Sequence, residues 1–283
     1  MNPPISRRTV TTSLLAGAAA LGTAGVAHAA PGAAGRPATG HGRPADPTIV
    51  LIHGAFADGS SWRAVVQRLL RQGHRVLVPA LPLRGLASDA AYIRSVLESV
   101  SGPIVLVGHS YGGAVISQAA AGLPRVKALV YIAAFVPEIG ESALQLTGKF
   151  PGSTLGQATV TQHYPLPGGG EGEELVIRKD LFRNQFAAGV PVPTAQVMAA
   201  GQRPITLAAL QEPATAAAWK KIPSWYLVAT EDRNIPPAAE HWMAERAGAH
   251  TVAVRAPHAV SVSDPGPVTD LILRAVRSVR SGH

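Results

Sequence analysis

Ile104-Val105-Leu106-Val107-Gly108-His109-Ser110-Tyr111-Gly112-Gly113-Ala114-Val115 is the stretch whose reading decides the fold. Its first four residues are an unbroken aliphatic run, the pattern of a strand buried on both faces. Gly108-His109-Ser110-Tyr111-Gly112 follows at once, and Ala114–Ala121 reads as a helix. Strand, Gly-x-Ser-x-Gly, helix is the arrangement of a nucleophile elbow, a sharp turn that presents one serine hydroxyl. Side chains two positions before and after the serine would obstruct that turn, so small residues are required there. Without its flanks the pentapeptide would mark only a glycine-rich turn.

The rest of the chain repeats the same alternation. Apolar runs at Thr48–Ile52, Arg75–Val78, Ala128–Ile132, Trp225–Ala229 and Thr251–Val254 alternate with helix-length segments. The helices are expected at Ser61–Arg71, Ser88–Val100, Ala238–Ala247 and Val268–Val279. This predicts an α/β fold with about six strands, mostly parallel, and helices on both faces. The rhythm breaks after the fourth strand, where residues 137–219 are far longer than a normal crossover. Glycine and proline cluster there at Leu166–Gly172 and Val190–Thr194, among several helix-like pieces. At the carboxyl edge of a parallel sheet such an insertion roofs the ligand crevice, so a cap is expected.

The N-terminus reads differently from the body. Ser6-Arg7-Arg8-Thr9-Val10 resembles a twin-arginine signal, Leu14–Val26 is apolar and small-residued, and Ala27-His28-Ala29 offers a cleavage site. The apolar stretch is shorter than the roughly 20 residues of a transmembrane helix, so no stable membrane anchor is expected. Residues 1–29 are thus expected to direct a bacterial protein, already folded, out of the cytoplasm, secreted or periplasmic. Residues 30–46, rich in Gly, Pro, Ala and Arg, read as a flexible linker, and residues 47–283 as one domain. Cysteine is absent, which removes disulfide and thiol chemistry.

The net charge is +8, and loss of Arg7 and Arg8 with the signal lowers it to +6. The basic residues are scattered rather than clustered with aromatics, which argues against a nucleic-acid face. No histidine pair has metal-ligand spacing, and no phosphate-cradling glycine loop follows a strand. Neither a metal nor a nucleotide cofactor is expected.

A serine hydroxyl needs a base within hydrogen-bond reach and an acid to orient that base. After an elbow the expected order is serine, acid, histidine, each at the carboxyl end of a strand. Asp232, three residues past Trp225–Ala229, fits the acid better than Glu231 or Glu138. His258, just after the last strand, fits the base, while Asp264 is expected to cap the final helix. Oxyanion donors are expected from the Tyr111 N–H and from the loop His53-Gly54-Ala55-Phe56. In that loop Ala55 is preferred over Phe56, and His53 reads as a structural hydrogen-bonder. Phe56, Phe150, Tyr164, Phe182, Phe186 and Met198 are candidate substrate contacts, each equally readable as packing. Trp62, Trp219 and Trp242 read better as packing residues.

Across Pro47–His283 these residues resemble the α/β-hydrolase superfamily. Within it the chain is similar to small capped esterases related to plant methyl-salicylate and methyl-jasmonate esterases and hydroxynitrile lyases. The likeness is carried by His53–Trp62, by the Ser110 elbow, and by Thr230-Glu231-Asp232 with Ile235-Pro236. It implies a Ser110, Asp232, His258 triad, an oxyanion hole at Ala55 and Tyr111, and cofactor-free hydrolysis of a small-molecule ester. In the lyases a lysine follows the catalytic histidine. Here Ala259 stands in its place, which argues against lyase activity. The expected reaction is hydrolysis of small or medium apolar carboxylic esters through an acyl-enzyme. A lactonase, amidase or perhydrolase on the same triad is the alternative, and a non-catalytic binding protein a remoter one.

Overall fold

The computed structural model describes residues 46–282, so the signal and most of the linker lie outside the described residues. In chain order the first half comprises β1 (Thr48–Ile52), α1 (Arg63–Arg71), β2 (Arg75–Leu77), α2 (Leu86–Ser99), β3 (Ile104–Ser110), α3 (Tyr111–Ala119) and β4 (Val126–Ala134). The inserted segment holds α4 (Ala143–Gly148), α5 (Leu155–Ala158), β5 (Thr159–Pro165), β6 (Glu171–Ile177), α6 (Lys179–Phe186), α7 (Val192–Ala200), β7 (Ile205–Thr206) and α8 (Leu207–Gln211). The chain closes with β8 (Ser224–Ala229), α9 (Pro237–Arg246), β9 (His250–Val254), α10 (Val260–Ser263) and α11 (Pro265–Ser281).

Six strands form one parallel sheet in the order β2-β1-β3-β4-β8-β9. Alternate side chains of each strand point to opposite faces, and both faces are apolar. Ile49, Leu51, Val105 and Val107 pack under Val65, Leu69, Val268 and Ile272 of α1 and α11. Val50, Ile52, Leu106 and Leu129 meet Ile93, Val115, Ile116 and Met243 of α2, α3 and α9. The fold is therefore the helix-covered α/β sheet expected from the apolar runs.

Three local expectations need correction. The helix after the elbow starts at Tyr111 rather than Ala114, because β3 runs through Ser110 and the turn takes a single residue. The cap is more than helical pieces, since β5, β6 and β7 form an antiparallel sheet of their own. Its glycine-rich Leu166–Gly172 region is the β5–β6 hairpin, in which Tyr164 pairs with Gly172. Asp264 occupies the position before α11, but its side chain makes no capping hydrogen bond. Pro267, the third residue of that helix, lacks one of the two N–H groups that such a cap serves.

Candidate active site

The elbow is built by close approach of backbones. A Cβ on Gly108 would stand 2.6 Å from the Gly112 carbonyl oxygen, and one on Gly112 would stand 2.8 Å from the His53 oxygen. Both glycines are therefore steric necessities. Ser110 itself has φ 54° and ψ −126°, a conformation that costs a residue with a Cβ of order 1–3 kcal/mol. Surrounding hydrogen bonds hold it: Phe135 N–H donates to the Ser110 carbonyl at 3.1 Å. Tyr111 begins α3, so its N–H is one of the helix's unpaired first-turn donors. The Tyr111 hydroxyl donates to Asp89 Oδ2 at 3.0 Å, which fixes this residue to α2. Burial beside the Asp89 carboxylate pushes the Tyr111 phenol far up, so it remains a donor.

The loop after β1 faces Ser110. A Cβ on Gly54 would come within 2.6 Å of Ser110 Cβ. Phe56 has φ 59°, a second strained residue, and its N–H is taken by the Arg203 carbonyl at 3.0 Å. Among the described residues no backbone carbonyl takes the Ala55 N–H. This leaves Ala55 as the donor able to pair with Tyr111. His53 serves the loop as scaffold: its Nε2 accepts from Leu81 N–H and its Nδ1 donates to the Gly54 carbonyl, each at 2.9 Å. Burial lowers the His53 pKa, which keeps Nε2 an acceptor.

Asp232 and His258 meet at the carboxyl ends of β8 and β9. Asp232 Oδ2 lies 2.5 Å from His258 Nδ1, and both side chains are buried. Asp232 Oδ1 accepts from the N–H groups of Asn234 (2.6 Å) and Ile235 (3.0 Å), so the carboxylate cannot rotate away. His258 Nε2 is buried with no hydrogen-bond partner among the described residues. No hydrogen bond closes between it and Ser110 in this structure; such contacts often tighten only when substrate binds. His109 lies 4.7 Å from the His258 ring, centroid to centroid, and its Nε2 donates to the His258 carbonyl at 2.9 Å. Complete burial and the adjacent His258 hold the His109 pKa well below the usual histidine range. The two other acids considered are spent elsewhere: Glu231 pairs with Arg255 at 2.7 Å and Glu138 with Lys220 at 2.6 Å.

Comparison with known proteins matches this chain to the Alpha/beta hydrolase family over residues 49–271. The chain belongs to the α/β-hydrolase family. Among curated relatives it is 28% identical over 255 residues to an alpha/beta hydrolase, nvfD, of Aspergillus novofumigatus, covering 82% of this chain and 96% of that one. It is 25% identical to Methylesterase 2 of Arabidopsis thaliana over 215 residues, 69% of this chain and 82% of the relative. The crystal structure of polyneuridine aldehyde esterase shares its fold, with TM-score 0.69 at 20% identity, covering 81% of this chain and 98% of that one.

The cap of this hydrolase closes a small apolar cavity over the elbow, about 100 Å³ in volume. Ala55, Phe56, Ser110 and Tyr111 form its floor, and Leu144, Leu155, Leu175 and Leu210 are among its roof. Of the six candidate contacts, Phe56 alone lines this space. Phe186 is buried behind it, 5.0 Å from the His258 ring, and Phe182 packs on Phe186 at 5.2 Å. Phe150 packs on Trp242 at 6.1 Å, and Tyr164 lies under the Arg84 guanidinium at 4.6 Å. Met198 faces a separate groove of about 430 Å³ beside Val197 and Ser261. These four leucines are not among the contacts expected from the sequence, where aromatic bulk marks the candidates. Leu144, Leu155 and Leu210 sit on helices of four to six residues and Leu175 on β6, elements too short for a clear apolar period.

The cap also grips the three loops that carry the site. Arg203 O takes the Phe56 N–H, Thr154 N–H donates to the Arg233 carbonyl at 3.0 Å, and Ala259 N–H donates to the Phe186 carbonyl at 2.9 Å. Gln185 Nε2 adds bonds to Asn234 Oδ1 and Arg233 O, both 2.8 Å.

Proposed function

We propose that this protein is an exported serine esterase that cleaves small apolar carboxylic esters through an acyl-enzyme. The reading is carried by one arrangement, the buried Asp232–His258 pair with a bare Nε2, its imidazole packed on His109, the chain neighbour of the elbow serine. In the proposed reaction His258 Nε2 takes the Ser110 proton as Oγ bonds to the ester carbonyl carbon. The resulting oxyanion is received by the Ala55 and Tyr111 N–H groups. Collapse breaks the carbon–oxygen bond to the alcohol, which leaves with the proton from His258. Water then repeats the sequence on the acyl-Ser110, releasing the acid. Asp232 holds the imidazole in the tautomer that leaves Nε2 as acceptor.

Substrate size follows from the roof. About 100 Å³ is roughly three water-sized groups of about 30 Å³ each, which suits a short acyl chain or a small alcohol. The resemblance to Methylesterase 2 supports an ester as the substrate. Export rests on the sequence of Ser6–Val10, Leu14–Val26 and Ala27-His28-Ala29 alone. The decisive experiment pairs p-nitrophenyl acetate turnover with Ser110→Ala. The expected loss is about 10⁶-fold in kcat, the magnitude seen when a serine hydrolase loses its nucleophile. A fluorophosphonate should label Ser110 in the wild type. Undiminished hydrolysis by the variant would overturn the mechanism.

A further inference from the structure

Beneath the Asp232–His258 pair lies a carboxyl group that the proposed mechanism does not use. Glu240, in the first turn of α9, is fully buried. Its Oε2 accepts the Ala229 N–H at 3.0 Å, while Oε1 receives no donor from any described residue. Ala229 ties the two acids together, its N–H serving Glu240 while its carbonyl accepts the Asp232 N–H at 3.1 Å, which sets the Glu240 carboxyl against Asp232. Two carboxyl groups can share a hydrogen bond only if one of them carries a proton.

Donor count decides which one. Asp232 already accepts three N–H bonds, from Asn234, Ile235 and His258, each favouring its anion. A carboxylate offers about four acceptor sites, so one remains. Glu240 accepts a single N–H, and an ionised carboxylate at zero exposure beside a second one is strongly disfavoured. Tyr226 is the other titratable group facing it, from β8. Its hydroxyl is spent on Ala134, donating to the carbonyl at 2.5 Å and accepting the N–H at 3.1 Å.

We propose that Glu240 is a positioning residue, a neutral carboxylic acid that donates its proton to Asp232 and so fixes the carboxylate that holds His258. This rests on reading Ser110, Asp232 and His258 as the triad. Burial, and then the Asp232 charge, push the Glu240 carboxyl well above the ordinary range, in accord with that geometry. The bond fills the last acceptor site of Asp232 and spreads its charge. Without it the carboxylate would favour the imidazolium more strongly, and the base would be neutral only at higher pH.

The test compares wild type, Glu240→Gln and Glu240→Leu. The wild type at neutral pH should show the infrared band of an un-ionised carboxyl, and Glu240→Gln should lack it. The glutamine keeps a donor for Asp232 and an acceptor for Ala229, so kcat and the acid limb of kcat/KM should stay in place. Glu240→Leu should lose about ten- to a hundredfold in kcat, the worth of a hydrogen bond to a charged group, with KM little changed. Its acid limb should move to higher pH. Absence of the band from the wild type would overturn the proposal. So would an acid limb that falls in Glu240→Gln, since that means a charge was removed. A leucine variant that melts lower but keeps both kcat and the limb would reduce Glu240 to packing. If the leucine variant does not fold, the band and the glutamine profile still decide. A failed triad would show separately, as hydrolysis surviving Ser110→Ala while the infrared band persists.

Discussion

The elbow and the cap face each other across one cavity, and they are held by different physics. Around Ser110 the backbone fits only without side chains: Gly54, Gly108 and Gly112 would each bring a Cβ within 2.8 Å of a neighbour. In the cap, Gly168, Gly169 and Gly170 have nothing within 4 Å of such an atom. The elbow strand is buried at every position, whereas β5 is mostly exposed. The contrast separates two duties. The elbow holds Ser110 in one tightly packed backbone arrangement, and the cap bounds the volume above it.

Short of removing Ser110 itself, Gly54→Ala attacks the rigid side and carries the largest effect. The new methyl would meet Ser110 Cβ at 2.6 Å, so the Ala55 N–H and the hydroxyl must separate. The expected fall in kcat is about 10²–10³-fold, comparable to losing one oxyanion donor, measured by steady-state ester hydrolysis. A variant that turns over at the wild-type rate would show that the elbow has slack after all. Leu175→Ala probes the adjustable side. It enlarges the cavity from the cap sheet and should raise the kcat/KM ratio of hexanoate to acetate esters about tenfold, within the range that one or more methylenes command. An unchanged chain-length profile would remove the cap sheet from substrate choice.

The smallest effect concerns stability near the boundary of the two regions. The folded-state pKa of Glu240 is raised above its unfolded value, so the folded protein binds the extra proton. Its contribution is fully present below the unfolded pKa and is lost as pH rises toward the folded one. Glu240→Gln does not titrate. Its melting temperature should therefore match the wild type near pH 4 and exceed it progressively as pH rises from about 4.5. A melting difference independent of pH would contradict a buried, proton-binding Glu240.

How far the sequence could be read follows the same division. The strands of the central sheet are legible because both faces are buried, which leaves runs such as Ile104–Val107 with no polar interruption. Asp232 and His258 are legible because strand ends fix where loop residues converge. The β5–β6 hairpin is not, since Thr159–Pro165 and Glu171–Ile177 mix charge with β-formers on exposed strands. Helices of four to nine residues in the cap carry too few turns for a clear apolar period. Glu240 and Asp89 leave no local trace. A buried carboxyl looks like any acid in a first helical turn until its tertiary neighbours are known.

The three main-chain bonds from the cap to the Phe56, Arg233 and Ala259 loops have a consequence for exchange between relatives. A segment that only roofed a pocket would be a detachable module, open to grafting. This one is also a brace, because Arg203, Thr154 and Phe186 hold three loops of the site beneath it. Transplanting it whole would withdraw the brace along with the roof. Chimeras that keep those three positions and vary only Leu144, Leu155, Leu175 and Leu210 should exchange substrate range at little cost in rate. Heritable change in this segment is thus pleiotropic: drift toward a new ester registers in the turnover of the old one.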